Sequence, residues 1–244
     1  MSASFEDLIS RVKECDKKVV AVAAAADDAV LEAVAAARSQ GIADAILVGD
    51  EAKIRELAAG LNIDLTGWRI IDEPDNVQAS LKAVKLAHDG EADMYMKGLI
   101  DTKTFLKSIL DKEVGLRTGK MLSHVAVFQV KGIEQLLFLT DVAFVTYPTL
   151  EDKVNIINNT VEVAHACGIP CPRVAPLAAV EVVNPKMPCT VDADELRKMN
   201  EDGRITGCVV DGPLSMDIAI DPEAAAHKGA QDRPAAGHAD ILLF

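Results

Sequence analysis

Aromatic residues are scarce in this 244-residue chain: phenylalanine, tyrosine and tryptophan make up 4% of it, with a single tryptophan. Cores built instead from small aliphatics suit helices packed on a parallel sheet. Long apolar runs are missing as well. No stretch approaches the length of a membrane span, and the opening "MSASFEDLISRVKE" lacks the apolar core of a signal peptide. A cytoplasmic protein with no membrane partner is therefore expected. Positive charge is also in short supply, with 25 lysines and arginines against 38 acidic residues and a net charge of −13. Nucleic acid and anionic membranes need a basic surface, so neither is expected as a main partner. An anionic small molecule stays possible where positive charge is concentrated locally.

Paired cysteines are absent. Cys15, Cys167, Cys171, Cys189 and Cys208 are odd in number and contain no Cys-x-x-Cys pair, which argues against zinc and disulfides and for reduced thiols. Phosphate-binding signatures are incomplete too. "GLRTGKM" (115–121) has three residues between its glycines where a P-loop needs four, and Met121 stands where Ser or Thr should hold magnesium. "AAAADDA" fills the first strand–helix turn, so the glycine fingerprint of dinucleotide binding is missing.

What is present is a regular alternation. "KKVVAVAAAA" (17–26), "ADAILVGD" (43–50), "WRIID" (68–72) and "ADMYMKG" (92–98) read as strands. Helices over 27–41, 51–62, 75–90 and 102–113 follow them in turn, the first opened by aspartates and stopped by Gly41. Four strand–helix alternations with short connections predict an α/β fold with a parallel sheet covered on both faces. Beyond the polar loop 114–120, strands are predicted at 123–130 and 135–146, and a long helix from Tyr147-Pro148 to Gly168. A strand follows at 172–180, then polar residues 181–195, a short helix, a strand at 206–214 and a helix at 221–229. Tyr147-Pro148 is the expected boundary between a first domain, 1–147, and a second, 148–244. The closing "GHADILLF" (237–244) reads as a strand that stops soon after it starts, and the chain is expected to be incomplete at its carboxyl end.

Ligands of open parallel sheets bind beyond the carboxyl ends of the strands, where loops converge and helix N-termini point outward. Lys97-Gly98 ends one such strand. Glycine permits close approach of an anion to the backbone, lysine supplies charge, and Thr102 is placed to cap the next helix and donate to a phosphate oxygen. A strand-ending turn with an ordinary cap explains the same residues. Charge favours the ligand: residues 97–120 contain six basic and three acidic side chains, a net +3, while the rest of the chain carries −16. Arg117, in its glycine-flanked loop, is suited to gripping a phosphate with two parallel hydrogen bonds. Ser123-His124 supplies a hydrogen-bond donor and a proton carrier, or else a structural histidine at a strand start. Asp211-Gly212-Pro213 ends a further strand, as a site or as a plain turn.

"MKGLIDTKTFLKSILDKEVGLRTGKMLSHVAVFQV" (96–130) closely resembles the phosphate butyryltransferase branch of the phosphate acetyl/butyryltransferase family. The likeness continues in order through residues 139–169, 175–199, "GRITGCVVDGPLSMDIAI" (204–220) and 237–243, nearly the whole chain. It implies reversible acyl transfer: acyl-CoA plus phosphate gives acyl phosphate plus CoA. It also implies two α/β domains with a cleft between them, akin to isocitrate and isopropylmalate dehydrogenases, and a homo-oligomer. Lys97, Gly98, Thr102, Lys107 and Arg117 would line that cleft and hold phosphate and the CoA phosphates, with Asp211 and Gly212 as further binding candidates and Ser123 and His124 as catalytic ones. Coenzyme A is substrate and product, and no cofactor, metal or covalent protein nucleophile is required. Family members continue past Phe244 with a Pro-Asp start, an Ala/Thr-Gly-Asn stretch and a Ser-Arg motif tied to phosphate binding. On that pattern a tail completes the first domain, and 244 residues alone would have little activity. A phosphate acetyltransferase of the same family and a non-catalytic CoA- or phosphate-binding fragment are the alternatives. Acyl length is not legible, because one methylene in a pocket contributes only about 1–3 kcal/mol.

Overall fold

The computed structural model describes residues 4–244. The chain divides into two compact units, Ile9–Gly119 and the segment up to Leu8 together with Lys120–Phe244. Helix α1 (Phe5–Lys13) lies across the first of these division points.

In the unit 9–119, strands β1 (Lys18–Ala23), β2 (Ala43–Gly49), β3 (Arg69–Asp72) and β4 (Met94–Lys97) alternate with helices α2 (Asp28–Ser39), α3 (Glu51–Gly60), α4 (Asn76–His88) and α5 (Thr102–Ile109). The sheet order is β3-β2-β1-β4, all parallel. Period-two alternation along β1 sends Val22 to one face, where it meets Leu31, Leu47 and Ile54, and Ala21 and Ala23 to the other, against Ala79 and Ala83 of α4. Alanine facing alanine lets that helix approach the sheet closely, which explains why the aromatic-poor composition still fills a core.

Residues 120–244 form β5 (Ala126–Phe128), β6 (Leu137–Thr140), α6 (Leu150–Ala166), β7 (Arg173–Pro176), α7 (Pro188–Glu201), β8 (Val209–Val210), α8 (Met216–Ile220), α9 (Pro222–His227) and β9 (Ile241–Leu243). The order is β5-β6-β9-β7-β8, with β5 antiparallel to β6 and the other pairings parallel. β9 lies inside the sheet, and its alternation divides two cores: Ile241 and Leu243 join Ile156, Ile157 and Leu196, while Leu242 joins Leu214, Ile218 and Ala235.

Several predicted bounds shift for physical reasons. The strand expected over 135–146 stops at Thr140, because the Asp141 carboxylate accepts from the Ala143 and Phe144 N–H groups and turns the chain. The long helix starts at Leu150, after a capping box in which Thr149 and Asp152 satisfy each other's backbone N–H. The polar stretch 181–195 holds the start of α7, with Pro188 in its first turn and Thr190, Ala193 and Leu196 buried. Tyr147-Pro148 falls inside the unit 120–244, since β6 before it pairs with β9 after it.

Candidate active site

β4 ends at the exposed Lys97, in register with Ala23 of β1. Gly98 donates its N–H to Ala23 O at 2.8 Å, and Leu99 donates to Ala24 O at 3.1 Å. A Cβ at position 98 would stand 2.3 Å from Ala23 O and 2.4 Å from Ala24 O. Glycine is therefore demanded here by two strand ends crossing, and its N–H is already in use. The cap of α5 is Asp101, not Thr102: its carboxylate accepts from Thr104 N–H at 2.9 Å and Thr104 Oγ1 at 2.7 Å. Thr102, the first helical residue, is exposed.

Aspartate closes every helix start at this edge. Asp27, Asp50 and Asp75 accept from the N–H groups of Val30, Lys53 and Gln78 at 3.1, 3.0 and 2.8 Å. Negative charge thus stands at all four helix starts, so an arriving anion has to be met by side-chain cations rather than by open helix N-termini.

Those cations exist. Lys97, Lys103, Lys107, Lys112 and Arg117 are all exposed, and none forms an ion pair with a described residue. Most other lysines and arginines are paired, as Lys18 is with Asp93, Arg55 with Glu51, Arg69 with Glu91 and Arg197 with Asp194. The loop carrying Arg117 is fastened at several points. Asp111 accepts from Glu113 and Val114 N–H, Leu116 N–H donates to Ile109 O at 2.8 Å, and His88 Nδ1 donates to Gly115 O at 2.8 Å. A Cβ at Gly115 would meet Ile109 O at 2.4 Å, so this turn has little freedom. A groove of about 410 Å³ separates α4 from α5, and Lys107 is the one predicted site residue in its lining.

In the unit 120–244, Ser123 Oγ accepts from Asn159 Nδ2 at 2.9 Å, leaving the hydroxyl hydrogen to donate elsewhere. His124 is held by its main chain: its N–H donates to Asp141 Oδ2 at 2.7 Å, and its carbonyl accepts from Thr140 Oγ1 at 2.8 Å. The imidazole stands edge-on to Phe144, centroids 5.5 Å apart, and its Nδ1 is buried with no partner among the described residues. Burial pushes the Asp141 pKa up, and four backbone N–H groups outweigh that and hold it below the usual carboxylate value. Asp141 escaped the sequence reading because it sits in an apolar run taken for strand.

Asp211 is 3% exposed and accepts from Arg233 Nη2 at 2.6 Å, Arg233 Nε at 3.1 Å and Ala235 N–H at 3.1 Å. Arg233 also donates to Pro213 O at 3.0 Å. The carboxylate is thus fully engaged in tying residues 233–235 to the end of β8. Gly212 is packed against Pro176 and Ala193, where a Cβ would stand 3.1 Å from Pro176 Cδ. Arg233 lacks a local sequence signal, since its partner is 22 residues away. All five cysteines are free thiols, and burial, with Cys171 nearby, pushes the Cys208 thiol up to about 11.

The model of the family "Phosphate acetyl/butaryl transferase" matches residues 4–80 and 73–244. The chain belongs to this family. A phosphate butyryltransferase from Clostridium beijerinckii is 58% identical over 244 residues, covering 100% of this chain and 80% of the relative. A phosphate acetyltransferase from Thermotoga maritima is 42% identical over 240 residues, 98% of this chain and 81% of the relative. Among solved structures, a branched-chain phosphotransacylase from Enterococcus faecalis superposes with a TM-score of 0.81 at 32% identity, over 93% of this chain and 78% of that one. A 4-hydroxythreonine-4-phosphate dehydrogenase from Klebsiella pneumoniae, at 14% identity and a TM-score of 0.53 over 94% of this chain and 80% of that one, shares the fold alone. This chain thus shares its α/β fold with that dehydrogenase as well as with the phosphotransacylase.

Proposed function

We propose that this protein interconverts a short-chain acyl-CoA and inorganic phosphate with acyl phosphate and free CoA, with butyryl-CoA as the first substrate to try. Two relatives named phosphate butyryltransferase are 57–58% identical over the whole chain, whereas a phosphate acetyltransferase and a probable phosphate butyryltransferase are each 42% identical. One structural observation carries the reading to named residues: on an acidic protein, five basic side chains in succession, Lys97, Lys103, Lys107, Lys112 and Arg117, are exposed and form no ion pair with a described residue.

The chemistry calls for that arrangement. A phosphate oxygen attacks the thioester carbonyl carbon, the C–O bond forms, negative charge gathers on the carbonyl oxygen, and the C–S bond then breaks to release CoA thiolate. Both reactants are anions, so their mutual repulsion has to be neutralised and the developing oxyanion stabilised. Lys97 and Arg117, at a strand end and on a fastened loop, are proposed to hold phosphate, with Thr102 donating from its hydroxyl. Lys107 is proposed for CoA phosphates. Ser123, whose hydroxyl hydrogen is free to donate, is proposed as an oxyanion donor, and His124 as a proton carrier. Gly98 is proposed to shape the phosphate site through its backbone, and Asp211 and Gly212 are proposed as binding residues of the unit 120–244. Coenzyme A is a substrate and no separate cofactor is proposed. The protein is proposed to be a cytoplasmic homo-oligomer; the five free thiols support the first statement, and the exposed Tyr147, Val182 and Val183 support the second. No helix among the described residues is long and apolar enough to cross a membrane.

The test is thiol release from acetyl-, propionyl- and butyryl-CoA by the full gene product, with and without phosphate, before and after dialysis against EDTA. Phosphate-dependent release that is fastest with butyryl-CoA and insensitive to chelation is expected. Release that ignores phosphate, or none, would overturn the proposal.

A further inference from the structure

The segment that leads into β5 is held from two sides. The end of β6 takes its main chain at His124, through Thr140 Oγ1 and the Asp141 carboxylate at 2.8 and 2.7 Å. Helix α6 takes the other side through one side chain. Asn159 Nδ2 donates to Met121 O at 3.0 Å and to Ser123 Oγ at 2.9 Å. These two contacts fix each other. A carbonyl oxygen only accepts, so the Met121 contact demands the amide nitrogen on this side, and a flipped amide would set two oxygens against each other. Both amide hydrogens are then used, one on each oxygen, and Ser123 Oγ has to accept. Its own hydrogen is directed away from Asn159. A serine hydroxyl ordinarily turns between donor and acceptor roles, and here one role is left to it. The helix that carries Asn159 is itself anchored, with Ile156, Ile157 and Val161 in the core and Thr160 Oγ1 donating back to Ile156 O at 2.8 Å.

We propose that Asn159 is a positioning residue that fixes the Ser123 hydroxyl as a one-way hydrogen-bond donor, set for the oxyanion before charge develops there. An oxyanion donor contributes most when it needs no reorientation at the moment of reaction. The assignment rests on the acyl-transfer reading above and adds to it what sets the polarity of the serine. Contact with the reacting atoms stays with Ser123, and Asn159 acts only through it.

A double-mutant cycle on the full gene product, read as phosphate-dependent thiol release from butyryl-CoA, tests this. Ser123→Ala is expected to lower kcat about a hundredfold, the size of one lost oxyanion donor, with the KM for each substrate unchanged. Asn159→Asp keeps the shape but puts an acceptor where the donor stood, which turns the Ser123 hydrogen inward. Its kcat should fall about as far, again without a change in KM, and Asn159→Ala, which frees the hydroxyl to turn, should lie between it and the parent. In the Ser123→Ala background neither change at position 159 should lower kcat further. A loss caused by displaced main chain at Met121 would persist in that background and multiply. Asn155→Asp, the same change one turn earlier, where Nδ2 donates to Glu151 O at 3.0 Å, should keep the parental kcat. A kcat unmoved by Ser123→Ala or by Asn159→Asp, or losses at 123 and 159 that multiply, overturns the assignment. Should Asn159→Asp not fold, the cycle is read with Asn159→Ala. A parent that releases no thiol with phosphate sinks the acyl-transfer reading instead, and neutron diffraction from the deuterated parent then decides the positioning by itself. Deuterium on Ser123 Oγ turned away from Asn159 keeps it, and deuterium turned toward Asn159 overturns it.

Discussion

Lys97 and Gly98 are neighbours with different tasks, and substitution separates them. Gly98→Ala forces a methyl group to 2.3 Å from the Ala23 carbonyl oxygen. Neither backbone can yield without breaking the 2.8 Å bond between them, so a loss of about 3 kcal/mol or more is expected in urea unfolding. Lys97→Gln, exposed and unpaired, should leave stability within about 0.5 kcal/mol and act on phosphate binding instead. Asp211 belongs with Gly98. Removing its carboxylate strands Arg233 and the Ala235 N–H, and Asp211→Ala should cost about 3 kcal/mol, read from the same urea curves. An Asp211→Ala protein as stable as the parent would show that this pair does not hold the loop. At this scale the sequence marks which residues matter better than it says why. Gly98 and Asp211 stand out as strand-end residues, but the crossing strand and the distant arginine that explain them have no signal in the linear text.

Among the elements, the alternation of strands and helices over the first hundred residues is legible because buried parallel strands read as continuous apolar runs, and Asp27, Gly41 and Gly168 mark helix ends. Short pieces escape. α8 has five residues, too few to show a period, and the start of α7 is hidden because its exposed face is polar. The aspartate caps make a prediction in acid. Asp101 and Asp152 are held below the ordinary carboxylate value first by their side-chain bonds to Thr104 and Thr149, and Asp217 is brought down to about 2 by Ser215 and Lys228. Asp141 is depressed as well. Native pKa values below the unfolded ones mean the unfolded chain binds more protons in acid. This stabilisation is therefore complete above the unfolded carboxylate pKa and fades as pH falls through the native values. Asp240 opposes the trend, since burial raises its pKa. Urea midpoints should hold level from neutrality to about pH 5 and fall between about pH 4 and 2. Asp101→Asn, which keeps an acceptor at the cap but cannot titrate, should blunt the fall. A midpoint that rises on acidification would contradict the assignment.

Across the whole molecule, charge organises function. A net charge of −13 repels phosphate and CoA alike, so the proposed function requires a local excess of cations. The aspartates at the four helix starts sharpen this requirement, because each puts negative charge there and takes up one backbone N–H. The net +3 of residues 97–120 is visible in the sequence, whereas the absence of ion pairs at Lys97, Lys103, Lys107, Lys112 and Arg117 among the described residues is not, since pairing depends on which carboxylates the fold brings near. The measurement that tests this most directly compares two double variants of equal charge change in the full gene product. Lys97→Gln/Arg117→Gln should raise the KM for phosphate about tenfold or more, the loss of two charge-assisted contacts. Lys131→Gln/Lys186→Gln, which removes two equally exposed lysines elsewhere, should leave it unchanged. Equal KM values for the two variants would show that phosphate is held somewhere else.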